Sequence, residues 1–377
     1  RGAGARRAHA ARGQGGGPMS AGRFPLTALR AEETRRRLEA FLAEMGAPAY
    51  RARQILAWVY DRGARSFEEM RDLPRELRAA LAERFAVHSL RRERETPAGD
   101  EACKHLFLTR EGYPVESVGI PVPGGATYCL SVASGCPVGC GFCASGAFFH
   151  RFLAPGEILD QYLLMKAAGG RTPAPSGIVL MGMGEPLLNW RGTRGFLAAI
   201  GADCAVGARR ITVSTVGVPG RLEALGREFP QVKLAVSLHA AEDSVRAALI
   251  PAAARMPIAA LMAACRAYAE LTHGRRITFE YVLLAGVNDG PRAAAALAAL
   301  LKGLPAAVNL IPYNPVAGAA FARPAEAAVA AFAAALRARF TGAVTLRRSL
   351  GGAANAACGQ LGSEPARSRG ARRRGGV

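Results

Sequence analysis

TYCLSVASGCPVGCGFC, residues 127–143, carries two signals in direct succession. Its first seven residues, TYCLSVA, have the β-branched and aromatic mixture of a buried strand. A glycine-rich loop then presents Cys136, Cys140 and Cys143 in C-x3-C-x2-C spacing, with Gly135, Gly139 and Gly141 letting the backbone wrap closely. Downstream the strand texture returns in GIVLMG, RRITVST, VKLAVSLH, RITFEYVLL, AVNLIP and AVTLRRS. The intervening segments are mostly alanine-rich and long enough for one helix with its loops. That alternation marks βα units around a parallel sheet, so residues 101–349 are expected to form an α/β domain, a partial or full parallel (β/α) barrel. In such folds the loops after the strands share one mouth, and chemistry collects there.

Upstream the period is helical from Thr27 to about Ala86, in TRRRLEAFLAEM, YRARQILAWVYDRG, SFEEM and PRELRAALAERF. Gly63 is expected to close the second helix, Ser66 and Glu69 to form a capping box, and Pro74 to sit in a first helical turn. Residues 19–100 therefore read as a small all-helical domain. Its polar faces carry Arg51, Arg53, Arg62 and Arg65, which suit either a solvated surface or an RNA-contacting one.

The chain has 377 residues, enough for two or three domains. Its longest apolar runs, Ala293–Leu301 and Ala327–Leu336, fall well short of the ~20 residues that span a bilayer, so no membrane is expected. Lys and Arg number 49 against 29 acids, a net +20 that makes nucleic acid the default partner. Only four of the bases are Lys, and the arginine fork suits phosphate, although coding bias would enrich Arg as well. Residues 1–18 and 361–377 each contribute +4, leaving the body at +12. The first segment reads as disordered and basic, with Met19 as a plausible start. Eight cysteines in a chain this long need not be staples, so a reducing cytoplasm is the expected location.

Three cysteines gathered in one glycine-rich loop gain nothing as packing. Zinc would ask for a fourth Cys or His at matching spacing, whereas a [4Fe-4S] cluster held by three thiolates keeps one iron open to a bound molecule. The spacing favours the cluster, with zinc as the alternative. Other polar groups close successive strands: Gly184 and Glu185 in MGMGEPLLN, Ser214 in STVGV, Ser237, Leu238 and His239 in SLH, and Asn314 in IPYNP. Together they suit a carboxylate, a ribose and an adenine.

On these residues the chain resembles the radical S-adenosylmethionine (SAM) superfamily. FEYVLLAGVNDG, VNLIPYNP, MGMGEPLLN, the ending AACGQL and the segment PAYRARQILAWVY narrow the resemblance. Over roughly residues 25–362 they are similar to the bacterial methyltransferases that act on carbon 2 of adenine in 23S rRNA and tRNA. The resemblance implies a barrel of radical SAM type, a helical RNA-binding accessory domain, and a C-terminal loop, residues 350–377, with a catalytic cysteine. It implies Gly184 and Glu185 at the amino group of the methionine moiety, two molecules of SAM per turnover, RNA as partner, and an electron donor such as flavodoxin or ferredoxin. A monomer is expected.

The resemblance also implies roles for two further cysteines. Carbon 2 of adenine is electron-poor and does not attack the methyl group of SAM, so a relay is needed. In it Cys358 takes a methyl group from one SAM, and a 5′-deoxyadenosyl radical from a second removes hydrogen from that methyl. The carbon radical adds to the base, Glu116 accepts the ring proton, and Cys129 attacks the sulfur, leaving a Cys129–Cys358 disulfide. Read from the residues alone, Cys129 is a strand-core thiol, Cys358 a tail thiol and Glu116 an outward-facing strand residue. Cys103, Cys204 and Cys265 read as packing, and His105, His150 and His273 receive no role.

The chain departs from the family pattern in SVASGC before the first cluster cysteine, in a shortened serine segment before Pro219, and in GGAAN at 351–355, where an acidic stretch is usual. Methylation of carbon 8, as in antibiotic-resistance siblings, therefore stays an alternative. So do a radical SAM enzyme acting on another substrate and a non-enzymatic metal-binding RNA protein.

Overall fold

The computed structural model describes residues 22–98, 102–169, 173–347 and 355–362. The expectations for residues 1–18 and for the basic end of the chain lie outside these residues, as does most of GGAAN.

The helical region packs α1 (Ala31–Glu44), α2 (Arg51–Tyr60) and α3 (Arg75–Arg84). In α1 the buried residues Thr34, Leu38, Phe41 and Leu42 fall on one stripe at helical spacing, and Glu32 and Glu33 complement the positive end of the helix. Ile55 and Val59 of α2 and Leu77 and Leu81 of α3 complete the same core. The short strands β1 (Phe24–Pro25) and β2 (Phe85–Ala86) pair in parallel beneath it. Gly63 takes the left-handed conformation expected just beyond α2, at φ +68°. The capping box does not form. Residues 67–69 make a single 3-10 turn, and Glu69 instead accepts from the backbone N–H of Arg65 at 3.1 Å. One tight turn is too short to present the donor a capping box uses.

The helical region is held to the next domain by buried polar contacts. Asp160 accepts from the backbone of Ser89 and Leu90 at 2.5 and 3.0 Å and lies 2.7 Å from His88 Nδ1. Arg30 pairs with Asp203 at 2.9 Å.

The second domain is built on one ten-stranded sheet. Its first part is an antiparallel meander of β3 (Arg91–Pro97), β4 (Cys103–Leu108), β5 (Pro114–Val122) and β6 (Gly125–Cys129). The loop after β6 carries a small hairpin, β7 (Ala133–Gly135) with β8 (Phe149–Phe152), and then α4 (Pro155–Ala168). From there the chain alternates β9 (Pro175–Leu180), α5 (Trp190–Asp203), β10 (Ile211–Thr215), α6 (Arg221–Glu228), β11 (Lys233–Ser237), α7 (Asp243–Leu249), α8 (Ile258–Leu271), β12 (Ile277–Leu283), α9 (Pro291–Leu300), β13 (Ala306–Pro312), α10 (Glu326–Arg337) and β14 (Val344–Leu346).

Strands β6 and β9 through β14 are parallel neighbours in chain order, as the βα reading expects. The sheet runs from β14 at one edge to β3 at the other, and these edges are not paired with each other, so the barrel is partial. The three strands β3 to β5 were not among the runs read from the sequence. RRERETP on β3 is charged and half-exposed, which hides the alternation that marks a strand.

Candidate active site

The three cysteines stand where strand-end logic places them, in the loop between the sheet and α4. Gly135 enters that loop at φ +79°, and a Cβ there would lie 2.2 Å from the carbonyl oxygen of Phe148. Only glycine admits this closeness. Cys136, Cys140 and Cys143 then line one side of a cavity of about 960 Å³ at the carboxyl ends of the parallel strands. Backbone N–H groups of Val138 and Gly184 favour the charged form of Cys136, and Ser145 and Gly146 do the same for Cys143. Burial wins against them, pushing Cys136 up to about 12 and Cys140 and Cys143 upward, with charge on neighbouring thiols adding to the effect. Three such thiols need bound cationic iron to lose their protons.

The donor set fits a cluster better than zinc. Among the described residues no three His, Cys, Asp or Glu side chains converge as a single ion requires. A cubane takes each thiolate on a different iron, and N–H donors aimed at sulfur are the usual outer shell of such a group.

The opposite wall holds most of the residues read as cofactor ligands. Gly184 turns at φ +98° because a Cβ would meet that of Ala133 at 2.6 Å, and this aims Glu185 inward. Glu185 is buried; Oε1 accepts from Leu187 N at 3.0 Å and Oε2 from Val216 N at 2.8 Å. Desolvation raises its pKa in spite of these donors. Ser214 is the last residue but one of β10 and Ser237 ends β11, with their hydroxyls 3.4 Å apart at the cavity wall. His239 follows with φ +60°, its Nδ1 accepting from Val282 N at 3.0 Å. That bond leaves the proton of the neutral ring on Nε2, and burial lowers the pKa to about 3. Asn288 locks this turn by donating to the carbonyls of His239 and Val282 and accepting from Leu284 N. Leu238 alone among these residues points away, its side chain in the main apolar core. A leucine between two inward-facing residues must face the other side.

The tail closes the mouth. Asn314 donates to the carbonyl oxygen of Cys358 at 3.1 Å, Ala144 N to that of Gly359 at 2.7 Å, and Ser145 Oγ to that of Leu361 at 2.7 Å. Gly362 N donates to Glu116 Oε2 at 2.6 Å. Cys358 thus faces both the large cavity and an adjoining one of about 690 Å³, which Cys129 lines from the end of β6. Both thiols are free, so the disulfide placed at the end of the implied relay is not formed here. Burial, and after it the neighbouring Cys358, pushes the Cys129 thiol up to about 12.

Glu116 is not the outward-facing residue that its strand suggested. It is 2% exposed, and Lys104, itself 1% exposed, stands 3.3 Å from Oε1. Sequence reasoning missed Glu280 and Arg347, which also line the large cavity. Glu280 accepts from Asn309 Nδ2 at 2.8 Å. A lone acid in the apolar run RITFEYVLL, and an arginine just past the last strand, were the available signals. Cys265 is fully buried in α8, as the packing reading requires.

Comparison with known proteins agrees with this geometry. Residues 31–87 match the family model described as the ribosomal RNA large subunit methyltransferase N-terminal domain, and residues 130–298 match the radical SAM superfamily. The chain is 45% identical over 325 residues to the "Probable dual-specificity RNA methyltransferase RlmN" of Thermosynechococcus vestitus, covering 86% of this chain and 95% of that protein. It is also 45% identical to the dual-specificity RNA methyltransferase RlmN of Anaeromyxobacter dehalogenans, covering 87% and 90%. Among solved structures, a radical SAM methyltransferase from Sphaerobacter thermophilus superposes with a TM-score of 0.84 at 44% identity, covering 90% of this chain and all of that one. A partial barrel, three cysteines gathered in one loop at its mouth and a helical N-terminal domain in one chain are accounted for together: the protein belongs to the RlmN family of dual-specificity RNA methyltransferases, radical SAM enzymes that use a [4Fe-4S] cluster and S-adenosylmethionine.

Proposed function

We propose that this protein methylates carbon 2 of an adenosine in 23S rRNA, and of one in tRNA, by way of a methyl group carried on Cys358. The observation that carries this reading is the placement of Cys358 between two cavities, one lined by the cluster cysteines and the other by Cys129. A methyl carrier must meet the donor on one side and the resolving thiol on the other.

When bound by Cys136, Cys140 and Cys143, the cluster with SAM supplies the radical chemistry that an unactivated carbon needs. Glu185, Ser214, Ser237, His239 and Asn314 orient the cofactor through groups that line the same cavity. Cys358 accepts the methyl group on Sγ and holds it while the target adenine, extruded from its stack, reaches the mouth. Glu116 takes the proton from carbon 2 on a carboxylate oxygen. Cys129 then attacks Sγ of Cys358, forming the Cys129–Cys358 disulfide as the carbon–sulfur bond breaks; the released methylene carbon takes up a proton to become the new methyl group, and the surplus electron of the base radical would return to the bound cluster.

Burial is the main cause that holds Cys129 as its protonated thiol, and the neighbouring Cys358 adds to it. An electron donor of the flavodoxin or ferredoxin class, and a compartment reducing enough to keep the thiols free, complete the reading.

The test is anaerobic incubation of cluster-loaded protein with SAM, reductant and an rRNA fragment or a tRNA, followed by nucleoside mass spectrometry. 2-Methyladenosine is expected. 8-Methyladenosine would move the site of attack to the other carbon. Cleavage of SAM without any methyladenosine would assign the barrel to a different substrate.

A further inference from the structure

Glu116 has a partner for which packing gives no reason. The register of the meander pairs Lys104 with Val118 and Val118 with Cys129, while Glu116 lies opposite Leu106. Lys104, Glu116 and Cys129 therefore share one face of the sheet, with the two charges on a diagonal. The surroundings are apolar: Ala102, Val118, Met183 and Leu361 form a cluster with Cys129. Lys104 Nζ stands 3.3 Å from Glu116 Oε1 and has no well-aligned hydrogen bond among the described residues. Oε2 is already bonded to Gly362 N, so Oε1 is the oxygen beside the ammonium. A buried ammonium with spare protons is costly, and an apolar side chain of the same length would pack here at lower cost.

We propose that Lys104 is a positioning residue whose ammonium holds the Glu116 carboxylate in place at this buried position, so that it meets the carbon-2 proton. This rests on the reading above, in which Glu116 is the proton acceptor. Other ionisable groups near this face are Cys129 on β6, Cys358 on the tail and Arg347 just after β14, together with solvent-exposed Arg94 on β3, which pairs with Leu106 of β4. Lys104 is the cation in contact with the carboxylate. Without it the carboxylate loses the contact that fixes Oε1. The step that stalls is then loss of the ring proton after the carbon–carbon bond has formed. The RNA stays tethered through the methylene bridge to Cys358.

The test uses the full-length, cluster-loaded enzyme and compares wild type with Lys104→Met and Lys104→Arg. Three quantities are read: methylation of Cys358 by SAM without RNA, covalent RNA–protein adduct on denaturing gels, and methyladenosine yield from pH 6 to pH 9. Lys104→Met is expected to methylate Cys358 as wild type does, and to accumulate adduct while losing on the order of tenfold or more in product at neutral pH, the effect of removing a nearby opposite charge. Lys104→Arg restores most of the yield. Wild-type yield in Lys104→Met overturns the proposal. So does a loss matched by an equal loss of Cys358 methylation and not rescued by Lys104→Arg, which would mark a folding role. If the wild-type enzyme makes neither adduct nor methyladenosine, the underlying reading fails instead.

Discussion

Ala144 donates its backbone N–H to the carbonyl oxygen of Gly359 at 2.7 Å, joining the residue after the third cluster cysteine to the residue after Cys358. Two segments more than two hundred residues apart in sequence are thereby fixed against each other at the cavity. Ser145 reinforces the junction through Leu361. Removing that hydroxyl costs one buried hydrogen bond, about 0.5–1.5 kcal/mol. Ser145→Ala should therefore lower RNA methylation roughly two- to tenfold and speed amide exchange over residues 356–362. Unchanged exchange would show that the other anchors suffice.

The cysteines divide into two classes with opposite signatures. Cys136→Ala should abolish the visible absorption of an iron–sulfur cluster and leave the cooperative thermal unfolding of the protein in place. Cys265→Ala removes a fully buried sulfur from α8 and should cost about 1 kcal/mol in stability while leaving iron content unchanged. Iron and sulfide analysis beside a melting curve distinguishes the two, and zinc in place of iron would refute the cluster.

Arg347 is half-buried, and charge on Cys358, ahead of that on Glu280 and Cys129, raises the pKa of its guanidinium against the pull of desolvation. Arg347 and Cys358 line the same two cavities, which puts the guanidinium beside the sulfur proposed to carry the methyl group. Arg347→Met should slow methylation of Cys358 by about tenfold, with Arg347→Lys intermediate. Mass spectrometry of the peptide containing Cys358 after timed exposure to SAM reads this directly. Equal rates in all three proteins would remove Arg347 from this step.

His239 gives a pH dependence of stability with a definite sign. Burial lowers its pKa from 6.5 to about 3, so the unfolded chain binds the proton more readily than the folded one. Its contribution is fully present above pH 6.5 and is lost as pH falls toward 3, by at most about 4–5 kcal/mol. Thermal unfolding between pH 7 and pH 4 should show this decline. His239→Asn, which tolerates the left-handed backbone at φ +60°, should flatten it. An equally steep decline in the variant would assign the effect to other groups.

Local chemistry made much of the site legible. Gly135 and the three cysteines follow one strand within a few residues, so short-range spacing announces both the turn and the ligands. Ser214, Ser237 and Asn314 were found because strand ends in a βα fold face a common mouth. Leu238 was grouped with its neighbours, although alternation sends its side chain into the core. Glu280 and Arg347 were passed over because a lone acid in an apolar run and an arginine past a strand are weak signals, shared by charges that end on a surface.

The order of βα units, the cluster loop and the helical stripe of α1 are properties of residues close in sequence, and periodicity and spacing were enough to determine them. What only the tertiary structure decided is the company that distant residues keep: Cys129 on β6 beside Cys358 on the tail, and Glu116 on β5 between Lys104 and Gly362. The physical reason is that desolvation and charge pairing depend on what the folded chain brings within a few ångströms. A strand glutamate reads the same in sequence whether it faces water or a buried ammonium.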